Sequence, residues 1–93
     1  LDRSAEQLLR PSEKNDARAL LQRLTRREYE VMELVATGLL NKQVGGELGM
    51  AEKTVKTHRA HVMQKLGITS VAELMVVLQK AEVTPPVRPG TKV

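Results

Sequence analysis

The stretch Glu52–Leu66, followed by Gly67, constrains the fold most, because its apolar residues recur at helical spacing. With about 100° of turn per residue, Val55, Val62 and Leu66 fall on one stripe. The opposite side carries basic, small and amide side chains and no carboxylate. The pattern predicts an amphipathic helix with one side in a core and a basic side facing outward. The outward residues are Lys53, Lys56, Thr57, Ala60 and Gln64.

Most of the net positive charge of the chain lies on this helix and on the segment before it. Residues 41–66 contain five Lys or Arg and two Glu, which gives them a net charge of +3. The whole chain has 15 Lys or Arg and 11 Asp or Glu, for a formal charge of +4. Three side chains on one flank of the helix, Thr54, His58 and Lys65, can donate to a phosphate beside it. We therefore expect a helix that lies in a groove of nucleic acid.

Two capping boxes predict where two further helices begin. Thr25 with Glu28 starts a helix that ends near Gly38, and Ser70 with Glu73 starts a last helix that runs to about Ala81. The first of these helices should turn four apolar residues toward a core. They are Val31, Met32, Leu34 and Val35.

A short helix is predicted between them, capped by Asn41 and running from Lys42 to Leu48. Its interior contains Gly45 and Gly46, which cost roughly 1.5–2 kcal/mol relative to alanines. Either backbones approach closely at this pair or the helix is locally soft. The sequence leaves both interpretations open.

The last helix is apolar on nearly every side. One core cannot cover all of these residues, which indicates a second packing partner, most simply another copy of the chain. The predicted dimer contact consists of Met75, Val76 and Val77.

The two ends of the chain differ from its centre. Residues 1–23 are predicted to be a linker with two helical pieces, one after Ser4 and one after Pro11, outside the compact core. Residues 24–82 are predicted to form the domain. Residues 83–93 are rich in Pro and Gly and are predicted to be a disordered tail.

Composition excludes several classes of function. The chain has no cysteine, no apolar run of the roughly 18 residues that a membrane span needs, and no Gly-rich phosphate loop. No carboxylate pair marks a catalytic pocket. We therefore predict a cytoplasmic protein that is not an enzyme, has no cofactor and does not bind a membrane.

Four polar or aromatic features need an interpretation of their own. His58 and His61 could be metal ligands, but no third ligand at suitable spacing accompanies them, so no metal site is predicted. Arg59 is expected to reach a carboxylate, either Glu28 or Glu30. Tyr29 is expected to be an exposed or half-buried helix residue rather than a base-stacking platform. The lysines, finally, could be the solvated face of a helical bundle that only binds proteins.

Residues 24–82 closely resemble the LuxR/NarL family of helix-turn-helix domains, and most of all the FixJ-type response regulators. The anchors appear in order along the chain: Leu24-Thr25 with Arg27-Glu28, Gly38 with Asn41-Lys42, Leu48-Gly49, Thr54-Val55-Lys56 with His58, and Lys65-Leu66-Gly67. The resemblance implies a four-helix, all-α domain whose third helix reads the major groove of double-stranded DNA and whose fourth forms a homodimer contact. It also implies a receiver domain before the linker. Region 4 of a sigma factor and an acyl-homoserine-lactone receptor are the nearest alternatives.

The resemblance also assigns roles to single residues. Lys56 and Thr57 would face base edges. Some relatives carry a basic residue where this chain has Ala60, so the chain either reads fewer bases or shifts that task to Lys53 or Gln64. Phosphates would be held by Lys42, Gln43, Thr54, His58 and Lys65. The chain departs from the family pattern at Arg26, at Gly45-Gly46 and at Ala51. RNA polymerase is a further candidate partner.

Overall fold

The computed structural model describes residues 13–84, and within this range it is helical with no strand. Helix α1 covers residues 13–21 of the described part. It is followed by α2 (Arg26–Ala36), α3 (Asn41–Leu48), α4 (Glu52–Leu66) and α5 (Val71–Ala81). The predicted all-α fold is confirmed. The helical piece after Ser4 lies outside the described residues, as does the predicted tail from residue 85 onward.

One hydrophobic core lies among the five helices. Met32, Leu74 and Leu78 are its largest fully buried side chains, and the predicted stripe of α4 is buried with them. In α1, α2, α4 and α5 the buried residues recur at helical spacing, as predicted, whereas α3 contributes Val44 alone. The buried set consists of Ala17, Leu21, Val31, Met32, Val35, Val44, Val55, Val62, Leu66, Leu74, Leu78 and Ala81.

Local hydrogen bonds set the beginnings of α2 and α5. The Glu28 amide donates to Thr25 Oγ1 at 3.1 Å, and the Thr25 amide donates back to Glu28 Oε1 at 2.9 Å. This capping box is confirmed. At α5 the Glu73 amide donates to Ser70 Oγ at 3.1 Å, but the Glu73 carboxylate accepts from the Thr69 amide at 2.6 Å. The return bond of this second box is therefore made one residue earlier than predicted.

The prediction that Asn41 caps α3 is wrong. Leu40 is the N-cap, with extended backbone angles (φ −80°, ψ 161°), and Asn41 is the first helical residue. Leucine has no side-chain acceptor, so the cap is made from the other side, where Gln43 Oε1 accepts from the Leu40 amide at 2.8 Å. This arrangement leaves the Leu40 side chain 68% exposed.

The structure decides between the two interpretations of the glycine pair. A β-carbon on Gly45 would lie 2.5 Å from the Met50 carbonyl oxygen, whereas one on Gly46 would meet nothing within 4 Å. The Met50 amide donates to the Gly45 carbonyl at 2.9 Å, and Gly49 turns the chain with a φ of 68°. Gly45 thus permits the close backbone approach that joins α3 to α4.

Helix α1 packs on the domain, although the sequence placed this segment outside the compact core. Ala17 and Leu21 are buried in the core. Arg18 Nε donates to the Ala81 carbonyl at 2.9 Å, and Lys14 Nζ lies 3.0 Å from a Glu82 carboxylate oxygen. Helix α1 is therefore attached to the C-terminal end of α5.

Among the described residues, no single helix has both the length and the hydropathy of a membrane span. Helices α4 and α5 reach that composition only when taken together, and the pair is bent by 57°.

Candidate nucleic-acid interface

The outer face of α4 is open to solvent over its whole length. All five residues predicted to face bases are exposed, and Glu52 in the first turn is the one carboxylate within α4. The Thr57 hydroxyl donates to the Lys53 carbonyl at 3.2 Å, so its oxygen remains available as an acceptor. The structure therefore brings Lys53, Lys56, Thr57, Ala60 and Gln64 together on one unobstructed face.

The residues predicted to hold phosphates divide into two groups. Lys42, Gln43 and Thr54 are exposed, whereas His58 and Lys65 are half-buried where α4 meets its neighbours. Gln43 uses its carbonyl oxygen to cap α3, which leaves its amide hydrogens as donors. The first group is free to contact a partner, and the second also has partners inside the protein.

Arg59 pairs with Asn41 and not with Glu28 or Glu30, so the expected pairing is wrong. Its Nη1 donates to Asn41 Oδ1 at 2.9 Å, in a part-buried bond between α4 and the start of α3. Both carboxylates expected for Arg59 have other partners, since Glu30 pairs with Arg27 at 2.9 Å and Glu28 pairs with Lys65. Arg59 therefore links α4 to the first turn of α3.

Glu28 is the one charged residue of the described chain that is buried, with 4% of its surface exposed. Lys65 Nζ donates to its Oε1 at 2.7 Å. The hydrogen bond from Lys65, followed by that from the Thr25 amide, holds the pKa of Glu28 below its usual value, although burial opposes the shift. The capping glutamate of α2 is thus also the ionic partner of the C-terminal turn of α4.

A third side chain joins this pair. His61 Nδ1 lies 3.6 Å from Glu28 Oε2, and one donor atom each from Glu28, His58 and His61 lie within 4.8 Å of one another. A third ligand for the two histidines could not be found from the sequence, because Glu28 is 30 residues from His58 along the chain and already has a local role as a cap. Spacing alone gives no signal for this group.

Two other predictions concern the exposure of Tyr29 and of the apolar residues on α5. Tyr29 is half-buried, as expected, and lines a cavity of about 570 Å³ with Leu21 and Leu24. On α5, Met75 and Val76 are 38% and 48% exposed, but Val77 is half-buried beside a cavity of about 180 Å³ that α1 also lines. Two of the three predicted dimer residues therefore form an open apolar surface, and the third lies between α5 and α1.

Comparison with known proteins gives one family. Residues 22–78 match the family described as bacterial regulatory proteins, luxR family. The chain is 55% identical over 58 residues to nodulation protein W of Bradyrhizobium diazoefficiens, and the match covers 62% of this chain and 26% of that protein.

Two solved structures share the fold over most of the chain. Response regulator StyR superposes with a TM-score of 0.81 at 42% identity, covering 86% of this chain and 40% of StyR. Full-length FixJ from B. japonicum gives a TM-score of 0.73 at 31% identity, covering 85% of this chain and 41% of FixJ. The chain thus spans between a quarter and two fifths of the length of these relatives. Its sequence and fold place it in the LuxR family of bacterial regulatory proteins, as a helix-turn-helix domain homologous to those of response regulators.

Proposed function

We propose that this chain is the DNA-binding output domain of a bacterial transcription regulator of the two-component type. The observation that carries the proposal is the outer face of α4, which is fully exposed, basic and almost free of carboxylates. An α-helix of this kind fits the major groove of B-DNA. The relatives named as response regulators support the two-component assignment over a sigma factor or a lactone receptor.

Within the groove, Lys56 and Thr57 face base edges, with Lys53 and Gln64 on either side. Lysine donates to the O6 and N7 acceptors of guanine, and a threonine oxygen accepts from an exocyclic amino group. Ala60, which is exposed between them, offers its methyl group to the methyl of a thymine. In this proposal few side chains contact base edges, and Lys56 makes the central contact.

Phosphates are held along the edges of the same face. Lys42 and Gln43 lie in the first turn of α3, where free backbone amides add to the attraction for an anion. Thr54 and His58 donate from α4. Lys65 keeps Glu28 as a partner, but an ammonium group has three donors, so it can bind a phosphate as well. Release of condensed counterions by these lysines makes binding depend steeply on salt.

The proposal is tested by titrating the chain into random and selected duplexes at low and high salt. Lys56→Ala should cost roughly 1–3 kcal/mol on the selected site and relax the preference at one or two base pairs. Lys42→Ala should weaken all sequences alike and reduce the slope of log K against log salt by about 1. Lys42 is preferred to Lys65 here, because losing Lys65 would also unpair Glu28.

Lys80→Ala is the matched control, since it removes the same charge from an exposed position on α5. It should leave both the specificity and the salt slope close to those of the unaltered chain. Binding that does not respond to salt, or an equal loss from Lys80→Ala and Lys56→Ala, would place the contact surface elsewhere.

We also propose that two copies meet on DNA through Met75 and Val76 of α5. Both are exposed apolar residues on a helix that buries Leu74, Leu78 and Ala81 in the core. Val76→Glu should abolish cooperative binding to paired half-sites and leave single-site binding intact. Val77→Glu is a poor test, because Val77 packs against the core and the substitution would also damage the fold. Contact with RNA polymerase and a cytoplasmic location remain predictions.

A further inference from the structure

The contact between α2 and α4 contains a set of side chains that DNA binding does not require. One donor atom each from Glu28, His58 and His61 lie within 4.8 Å of one another. The two histidines are three residues apart and therefore project from the same side of α4. Two imidazoles and one carboxylate are a donor set that Zn²⁺ takes in proteins, together with a water molecule.

The carboxylate of Glu28 is oriented in the way that metal-binding carboxylates usually are. Its Oε1 accepts from the Thr25 amide at 2.9 Å and from Lys65 Nζ at 2.7 Å. Its Oε2 points toward His61, whose Nδ1 is 3.6 Å away. Hydrogen bonds to one oxygen fix the group and leave the other as a ligand.

A buried nitrogen supplies an independent observation. His58 Nδ1 is shielded from solvent and has no hydrogen-bond partner among the described residues. Buried polar atoms are nearly always hydrogen-bonded, so an orphan of this kind needs a reason. A bound metal ion provides one, because the unprotonated nitrogen of a neutral imidazole is a strong metal ligand.

We propose that Glu28, His58 and His61 bind one divalent transition-metal ion, such as Zn²⁺, between α2 and α4. Ligands around tetrahedral zinc lie about 3.3 Å apart for metal–ligand distances of about 2.0–2.1 Å, so side-chain movements of about 1 Å complete the site. The His61 side chain is 50% exposed and gives the ion a route from solvent. The nearby Lys65 ammonium repels the ion and weakens its binding.

Such an ion would act on the helix that we propose reads DNA. It would cross-link α4 to α2 through side chains of both helices. Coordination through Nδ1 would also fix His58 in the tautomer that carries its hydrogen on Nε2. That tautomer is the one that can donate to a phosphate, so metal binding and phosphate binding by His58 are compatible.

The experiment is a calorimetric titration of Zn²⁺ into the 93-residue chain, repeated with Co²⁺ while visible absorption is recorded. The chain contains two histidines and no cysteine, so no other imidazole or thiolate can compete. We expect one ion per chain, a visible band from Co²⁺ in a site of low coordination number, and a rise in melting temperature with added Zn²⁺.

The deciding variant is His61→Ala, since an exposed residue can be replaced without loss of the fold. It should weaken Zn²⁺ binding at least about tenfold and abolish the Co²⁺ band. Gln64→Ala, an exposed change on the same helix, should leave both unchanged. His58→Ala should behave like His61→Ala, with circular dichroism as the check on folding.

Two results would overturn the proposal. One is the absence of saturable Zn²⁺ binding to the unaltered chain. The other is equal affinity in His61→Ala and Gln64→Ala, which would assign the ion to carboxylates elsewhere. As an internal check, Zn²⁺ should shift the NMR signals of both histidine rings, and a titration that shifts neither ring contradicts the site.

Discussion

Helix α4 is held on its two sides by different kinds of contact. Toward α3 the contact depends on a close backbone approach, because Gly45 has no side chain to collide with the Met50 carbonyl. A neutral side chain, Asn41, accepts a hydrogen bond from Arg59 on the same side. Toward α2 a buried carboxylate, Glu28, lies at the edge of the apolar contact. The α3 side should therefore respond to side-chain volume, and the α2 side to protons and cations.

The largest effect is expected on the α2 side. Glu28→Ala removes the partner of both the Thr25 amide and Lys65, and should cost roughly 2–3 kcal/mol of unfolding free energy. The loss falls below that of a fully buried ion pair because Lys65 keeps 36% of its side chain exposed. Urea denaturation measures it.

Glu30→Ala is the control for this variant. Glu30 pairs with Arg26 and Arg27 near the surface of the same helix, and such pairs contribute less than about 1 kcal/mol. Equal losses from Glu28→Ala and Glu30→Ala would mean that burial of Glu28 makes no difference.

On the α3 side the two glycines should respond with opposite signs. Gly45→Ala forces a methyl group against the Met50 carbonyl and should cost about 1–3 kcal/mol. Gly46→Ala meets open space within the same helix and should stabilise the fold by about 0.5–1 kcal/mol. A gain from both variants in thermal unfolding would contradict the close backbone approach.

Acid should destabilise the contact between α2 and α4, because protonation of Glu28 removes part of its contribution to the free energy of unfolding. Because the folded pKa of Glu28 is lowered, its stabilisation is complete above the unfolded pKa of about 4.3 and is lost as the pH falls through the folded value. Glu28→Gln should therefore flatten the loss of stability on acidification. Urea midpoints between about pH 6 and pH 3 measure this.

Glu33 provides a control of the opposite sign. Burial, followed by the charge of Glu30, raises the pKa of Glu33, so its charged form costs stability once the pH has risen through the folded value. Glu33→Gln should stabilise the fold at neutral pH and make the acid loss steeper. Parallel profiles for Glu28→Gln and Glu33→Gln would contradict both assignments.

The smallest effect is expected at the polar contact between α3 and α4. Asn41→Ala removes the acceptor of the Arg59 guanidinium and should cost about 0.5–1 kcal/mol, since the bond is only part-buried. Asn41→Asp keeps an acceptor and should retain the stability. A loss from Asn41→Asp as large as that from Asn41→Ala would show that the oxygen at this position is not what matters.

Features that depend on neighbours in sequence could be predicted from the sequence. The α2 capping box and the buried face of α4 follow from spacings of three and four residues, and both are confirmed. The cap of α3 could not be found this way, because Leu40 takes the extended conformation without a side-chain acceptor and Gln43 supplies the bond instead.

Contacts between residues far apart in the chain could not be predicted from the sequence. Lys65 and Glu28 are 37 positions apart, and Arg59 and Asn41 are 18 apart. Each of these side chains had several chemically reasonable partners, and only the packing angles of the helices choose among them. The α2–α4 group of Glu28, His58 and His61 was missed for the same reason.

Two polar contacts attach helix α1 to the end of α5. Arg18 and Lys14 bind successive residues, Ala81 and Glu82, at the point where α5 ends. Helix α1 can therefore leave the domain only by breaking both of these contacts and exposing Ala17 and Leu21 to water.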